Sequence, residues 1–379
     1  MRERQVVPLT SSTVGSEVSG RLVRPPEFER TKAGIIVADR RRRLILVGLL
    51  TAAMVTIIVC TKFGAAAITG RDWFAALWSL VAATSLDDAG GSVEVILFQV
   101  RLPRVLLGFV IGCVLAEVGA TLQALLRNPL ADPYVLGVSS GAALGITMAT
   151  LLGNAALSMG TAIVPVWGFV GGLTTLVVIY RLAQSHGRLP IHGLLLAGVV
   201  LNSVLTALIM FVTSIMEPAR SAGLIAWLMG SVTVSAWSGL IGITMYAIVG
   251  VGWLLYYAPV LNVLTQGEET ARSLGVDVER TKKRLYVVTA LLVGAVVSVS
   301  GMIGFVGMVV PHVIRMVFGA DHRLLMPASA LMGGMFLVLS DTVARTVLAP
   351  SEIPVGVVTA LVGGPVFLHL LLTQKSRMV

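Results

Sequence analysis

Ten stretches of this chain are apolar without interruption and of roughly membrane-crossing length, which constrains the fold more than any other feature. They lie at about 44–61, 104–126, 134–153, 161–182, 191–214, 238–258, 285–300, 302–318, 324–344 and 354–373. Strands of a membrane barrel alternate polar and apolar residues. These runs are continuous and rich in Leu, Ala, Gly and Val, so helices are expected. Charged residues make up 12% of the 379 residues, about half the share that covers a soluble surface. The expected fold is an all-α integral membrane protein of about ten transmembrane helices. Two further apolar stretches, 73–82 and 221–234, are too short to cross.

Charge sets the orientation. Residues 1–43 are polar and end in Arg40-Arg41-Arg42-Arg43. They have no apolar centre in the first thirty positions, so they do not read as a secretory signal. They are expected to form a disordered cytoplasmic tail in front of a single transmembrane domain at 44–379. With the N-terminus inside, ten spans return the C-terminus to the same side. The 28 Lys and Arg residues then divide 22 inside to 6 outside, the bias expected of cytoplasmic loops. The net charge of +9 therefore reads as loop charge facing the membrane surface, not as a nucleic-acid footprint.

Cys60 and Cys113 sit within apolar runs, and the five histidines are scattered singly as loop or helix-end residues. Neither pattern has metal-ligand spacing. Phosphate-cradling loops of ATPases need a Gly-Lys pair followed by Ser or Thr. No Gly-Lys pair occurs here, so this chain is not expected to bind ATP through such a loop.

A few residues stand out within the spans. Gly137, Gly141 and Gly145 recur every fourth position, a small-residue stripe suited to close helix packing. Glu117 places a carboxylate inside the second span, where such groups are costly and serve a pathway or pair with a neighbouring helix. Asn202 and Thr206 share one face of the fifth span and either face a cavity or bond between helices. A loop at 267–276 carries Glu268 and Glu269 at a helix start, then Ala271, Arg272, Leu274 and Gly275. Ala271 and Leu274 are expected to share an apolar face, with Gly275 as a natural stop.

The stretch RLPRVLLGFVIGCVLAEVGATLQALLRNPLADPYVLGVSSGAALG at 101–145 carries the strongest signature. Together with LLLAGVVLNS, GEETARSLGV, GMIGFVGMVVPHVIR, DHRLLMPASAL, SDTVAR and IPVGVVTALVGGPVF, it resembles the FecCD permease family. These are the membrane subunits of type II ABC importers for ferric siderophores, haem and vitamin B12. The resemblance implies a ten-helix subunit working as a homodimer. Two ABC ATPase subunits would carry ATP and magnesium, and an external substrate-binding protein would deliver cargo. This chain would hold no cofactor or metal and would catalyse no reaction itself. The segment 267–276 would be the coupling helix seated in the ATPase. Arg101, Arg104 and Arg345 would meet acidic residues of the binding protein, although Asp341, one turn before Arg345, is a competing partner. Asn202, Thr206 and Glu117 would line the pathway. An ion-coupled secondary transporter is the alternative; it would need intramembrane charges, for which Glu117 alone is thin support. An intramembrane enzyme would need a catalytic pair within the spans, and none is visible.

Overall fold

The computed structural model describes residues 25–64, 66–82, 91–152, 163–184, 190–233 and 237–375. Among them every regular element is helical. In chain order these are α1 (Pro25–Lys62), α2 (Gly70–Ala82) and α3 (Gly91–Val95); a π-helical turn (Ile96–Arg101) leads from α3 into α4 (Leu102–Leu125). A 3-10 turn (Pro133–Leu136) precedes α5 (Val138–Leu152), α6 (Ile163–Ala183), α7 (Ile191–Ile215) and α8 (Pro218–Leu228). The chain continues through α9 (Trp237–Tyr256), α10 (Ala258–Thr265), α11 (Glu268–Ser273), α12 (Val278–Ser300), α13 (Val306–Phe318), α14 (His322–Thr346) and α15 (Val355–Lys375).

Seven helical segments are long and apolar enough to cross a membrane, and three shorter apolar helices, Val138–Leu152, Val306–Phe318 and Val355–His369, account for the other expected spans. Three boundaries differ from the hydropathy reading for local reasons. Gly137 has φ 72, so the third span starts at Val138 and not at 134, and Gly137 belongs to a turn and not to the stripe on α5. The side chain of Asp277 accepts from Arg280 N at 3.1 Å, a cap that starts α12 several residues before its apolar part. Gly301 and Phe305 both have positive φ, which delays α13 to Val306. The expected tail boundary at residue 43 falls inside α1, which is already helical at Pro25; prolines in a helix's first turn forfeit no hydrogen bond.

Burial follows a membrane logic. The span containing α4 is buried over 78% of its most apolar window, whereas only 17% of the α9 window is covered. Leu196, Val199 and Val200 of α7 and Ile241, Ile248 and Val249 of α9 face outward, an arrangement stable in lipid and not in water. Around α4 pack α14, α13, α12 and α9. Small residues make this possible. A Cβ on Gly112 would lie 2.2 Å from Gly333 O, and one on Gly119 would lie 1.8 Å from Gly307 O. Backbone meets backbone at both crossings, as in close membrane helix pairs.

Candidate functional site

Three features converge on function: an arginine cluster at one end, a short charged helix at the other, and a cavity between them.

The cluster lies at the end that the charge count assigns to the outside. The π-helical turn re-aims Arg101, which is buried (4% exposed) and donates through Nη1 to Thr61 O at 3.2 Å and Lys62 O at 2.6 Å. Its Nη2 donates to Ala66 O. Arg345 is equally buried and donates to Cys60 O at 3.0 Å and Thr342 Oγ1 at 3.2 Å. The Asp341–Arg345 pair suggested by their spacing lies at ion-pair distance, 3.5 Å. Arg104 approaches the same carboxylate, with Nη2 2.8 Å from Asp341 Oδ1. Its Nη1 meets both oxygens of Glu352, at 2.9 and 3.0 Å. The three arginines therefore do not form one exposed set in this chain. Arg101 and Arg345 hold the end of α1, and Arg104 alone borders an open pocket of about 290 Å³ with Asp341, Glu352, Trp227 and Ser231. Glu352 escaped the sequence reading, and an acid beside Pro354 in an outer loop was the available signal.

At the opposite end, α11 is held by charge. Glu268 receives Lys282 Nζ at 2.6 Å, Arg272 Nη2 at 3.2 Å and Arg127 Nη2 at 3.5 Å. Burial raises the Glu268 pKa, but the hydrogen bond and charge of Lys282, with Arg127 and Arg272, outweigh it and hold the carboxyl below its usual range. Arg127 follows α4 and Lys282 lies in α12, so one carboxylate ties α11 to both. The shared apolar face expected of Ala271 and Leu274 is not there. Ala271 is buried against its own chain, while Leu274 is 66% exposed. The cause is that α11 lasts only six residues. Leu274 is its C-cap and projects where the short helix stops, and Gly275 at φ 82 closes the turn. The exposed residues are Glu269, Thr270, Arg272, Ser273, Leu274 and Gly275.

Between these ends lies a cavity of about 810 Å³, whose wall includes Tyr134, Ser140, Asn202, Thr206, Thr213 and Met302. Asn202 and Thr206 are thus on one surface, and Asn202 Oδ1 accepts from Ser140 Oγ. Tyr134 OH accepts from Ile303 N and braces the turn before α13. Glu117 is elsewhere. It is fully buried within α4, neither carboxyl oxygen has a hydrogen-bond partner, and it does not line this cavity. Beside the cavity, Gly141 and Gly145 let α5 touch α6: their Cβ atoms would lie 2.0 Å from Thr175 Oγ1 and 2.1 Å from Trp167 O.

Both cysteines are free. Among the described residues no three His, Cys, Asp or Glu side chains gather as a metal site. His322 opens α14 with Nδ1 2.8 Å from Asn262 Oδ1. His312 departs from the expected helix-end position; it is buried within α13 and faces packed helices.

Comparison with known proteins agrees with this architecture. The chain is 44% identical over 287 residues, 76% of each chain, to the cobalamin import system permease protein BtuC of Halobacterium salinarum. It is 40% identical to the hemin transport system permease protein HmuU of Yersinia pestis, over 88% of this chain and 97% of that one. A solved structure described as an inward-facing conformation of a metal-chelate type ABC transporter superposes with a TM-score of 0.73 at 29% identity, covering 87% of this chain and 99% of the other. The model of the FecCD transport family matches residues 44–373, and the chain belongs to that family of ABC transporter permeases.

Proposed function

We propose that this permease takes an iron chelate, haem or cobalamin from an external substrate-binding protein and passes it into the cytoplasm. It acts as a homodimer with two ABC ATPase subunits, which bind ATP and magnesium. Its N- and C-termini are cytoplasmic, in keeping with the charge asymmetry. The observation that carries the reading is α11. A chain without a phosphate-binding loop presents, at its cation-rich end, a short helix anchored by Glu268 and tipped by exposed Leu274. An apolar knob on a charged collar suits a groove in a soluble partner. ATP binding would move that partner and, through Glu268, the ends of α4 and α12, shifting the subunit between outward-open and inward-open states.

At the other end Arg104 is the arginine placed to meet an acidic partner. Arg101 and Arg345 serve that contact indirectly, by fixing the rim. The test is co-purification of the full chain with its ATPase. Leu274→Asp should release the ATPase while the permease still extracts from membranes as a folded protein. Ala271→Asp, which buries a charge, should lower the yield of folded permease itself. Normal ATPase association in the Leu274 variant would refute the docking role of α11.

A further inference from the structure

Arg104 meets its open pocket with donors already engaged, and its two acid partners are not equivalent. Nε and Nη2 face Asp341, at 3.1 and 2.8 Å. Nη1 faces Glu352 and contacts both of its oxygens, at 2.9 and 3.0 Å. The Asp341 side chain is 3% exposed and lies at ion-pair distance from Arg345 as well. That of Glu352 is 48% exposed, on the irregular stretch between α14 and α15. Releasing Asp341 would strip the buried Arg345 of its acid, a costly change. Glu352 can swing into water at little cost, because a solvent-exposed ion pair is weak.

The pocket has room for an incoming side chain. Trp227, Val232 and Ile353 give it apolar walls, and the Arg104–Glu352 pair forms its charged side. Yet the four charges there already balance, with Arg104 and Arg345 set against Asp341 and Glu352. A partner's carboxylate arriving at Nη1 would find Glu352 in the place it needs. With Glu352 swung out, the other three groups carry one net positive charge, and Nη1 regains its donors.

We propose that Glu352 is a displaceable internal ligand of Arg104, an inference that rests on the docking role of Arg104 given above. A carboxylate on the acidic partner protein takes over Nη1, and Glu352 turns to solvent. The exchange conserves the charge-assisted bonds on Arg104, so it adds discrimination more than affinity. A free anion offers Arg104 nothing that Glu352 does not already supply. A protein surface does, because contacts around its carboxylate hold it at the pocket mouth while Glu352 leaves.

The test measures the affinity of the full permease, purified with its ATPase, for the cargo-free binding protein of the same importer. Glu352→Gln keeps the side-chain shape and removes the charge. It should tighten binding about threefold to fivefold, the scale of one exposed ion pair, mainly through faster association. Arg104→Met should weaken binding. In the double variant the gain from Glu352→Gln should vanish, because no guanidinium is left to compete for. Co-purification with the ATPase shows that each variant is folded. A gain that persists without Arg104 would mean plain repulsion between Glu352 and the partner, and would overturn the exchange. Unchanged or weaker binding in Glu352→Gln, beside a loss in Arg104→Met, would also overturn it. Unchanged binding in Arg104→Met would instead overturn the docking role of Arg104, and this proposal with it.

Discussion

Glu268 accepts a hydrogen bond from the ammonium of Lys282 at 2.6 Å, and this contact joins α11 to the second turn of α12. The Lys282 side chain is 8% exposed and Glu268 is 25% exposed, so the pair is partly shielded from solvent screening. Removing one partner from such a pair strands the other. Glu268→Gln should therefore loosen α11, and a spin label on Ser273→Cys should become more mobile. The pH sign follows from the depressed Glu268 pKa. The stabilisation is present above the ordinary carboxylate value of about 4.3 and is lost as pH falls through the lower folded value. Label mobility should stay constant from neutral pH down to about 5 and rise only in stronger acid. A mobility change near neutral pH would point to a different titrating group.

The buried arginines should separate from Arg104 in their effects. Arg101→Ala takes this partner from the buried Thr61 carbonyl and from the Lys62 and Ala66 carbonyls of more exposed residues, and an unsatisfied buried group costs about 1–3 kcal/mol. Arg101→Ala and Arg345→Ala should lower the thermal midpoint in detergent by several degrees. Arg104→Ala leaves Asp341 with Arg345 and exposes Glu352 to solvent, so its stability loss should be smaller. Its main effect should be weaker, less salt-sensitive capture of the binding protein. Equal thermal losses in all three variants would contradict the burial difference.

Much of the helical architecture is legible in the sequence, because span location depends on apolar runs. The ten apolar stretches all correspond to helices. The seam glycines Gly141 and Gly145 could be seen from spacing alone, whereas their partners Thr175 and Trp167 could not. The directions of single side chains depend on helix phase, and short caps and turns reset that phase. Leu274, at the end of the six-residue α11, is exposed while Ala271 is buried. Arg101, the last residue of a π-helical turn that hydropathy does not reveal, is buried. Glu117 was conspicuous by composition, but its position relative to the cavity depends on the rotation of α4, which hydropathy does not encode.

Close backbone crossings make a sharper prediction about the glycines. Gly112→Ala and Gly119→Ala place a methyl group 2.2 and 1.8 Å from carbonyl oxygens of Gly333 and Gly307. A rigid backbone cannot yield there as a flexible side chain can, and overpacking costs about 1–3 kcal/mol or more. Both variants should lose thermal stability and folded yield. Gly239 in α9 has nothing within 4 Å of its Cβ position, so Gly239→Ala should be neutral or stabilise by up to about 1 kcal/mol through helix propensity. Similar behaviour of all three would mean that α4 does not pack this closely in the membrane.

Glu117 supports the last prediction. Elements packed around α4 bring several ionisable groups, and those with known partners are occupied elsewhere. Lys282 pairs with Glu268, Arg315 donates to Gln123 Oε1 at 3.0 Å, and Asp341 is shared by Arg104 and Arg345. The hydroxyl of Tyr286 and both ring nitrogens of His312 are themselves without hydrogen-bond partners. Glu117 thus contributes no observed bond to packing and no atom to the cavity wall. Replacing an unpartnered buried polar group by an apolar one of similar volume removes a desolvation cost of about 1–3 kcal/mol. Glu117→Met, nearly matched in length, should raise the thermal midpoint and leave uptake close to wild type. The rival reading, a carboxylate that serves the pathway in another state of the cycle, shares the rise in stability but forecasts a fall in uptake. Measuring both quantities on Glu117→Met and on Glu117→Gln separates the two, because a group acting through its charge is lost in either variant, whereas a purely packed one is improved only by the apolar replacement.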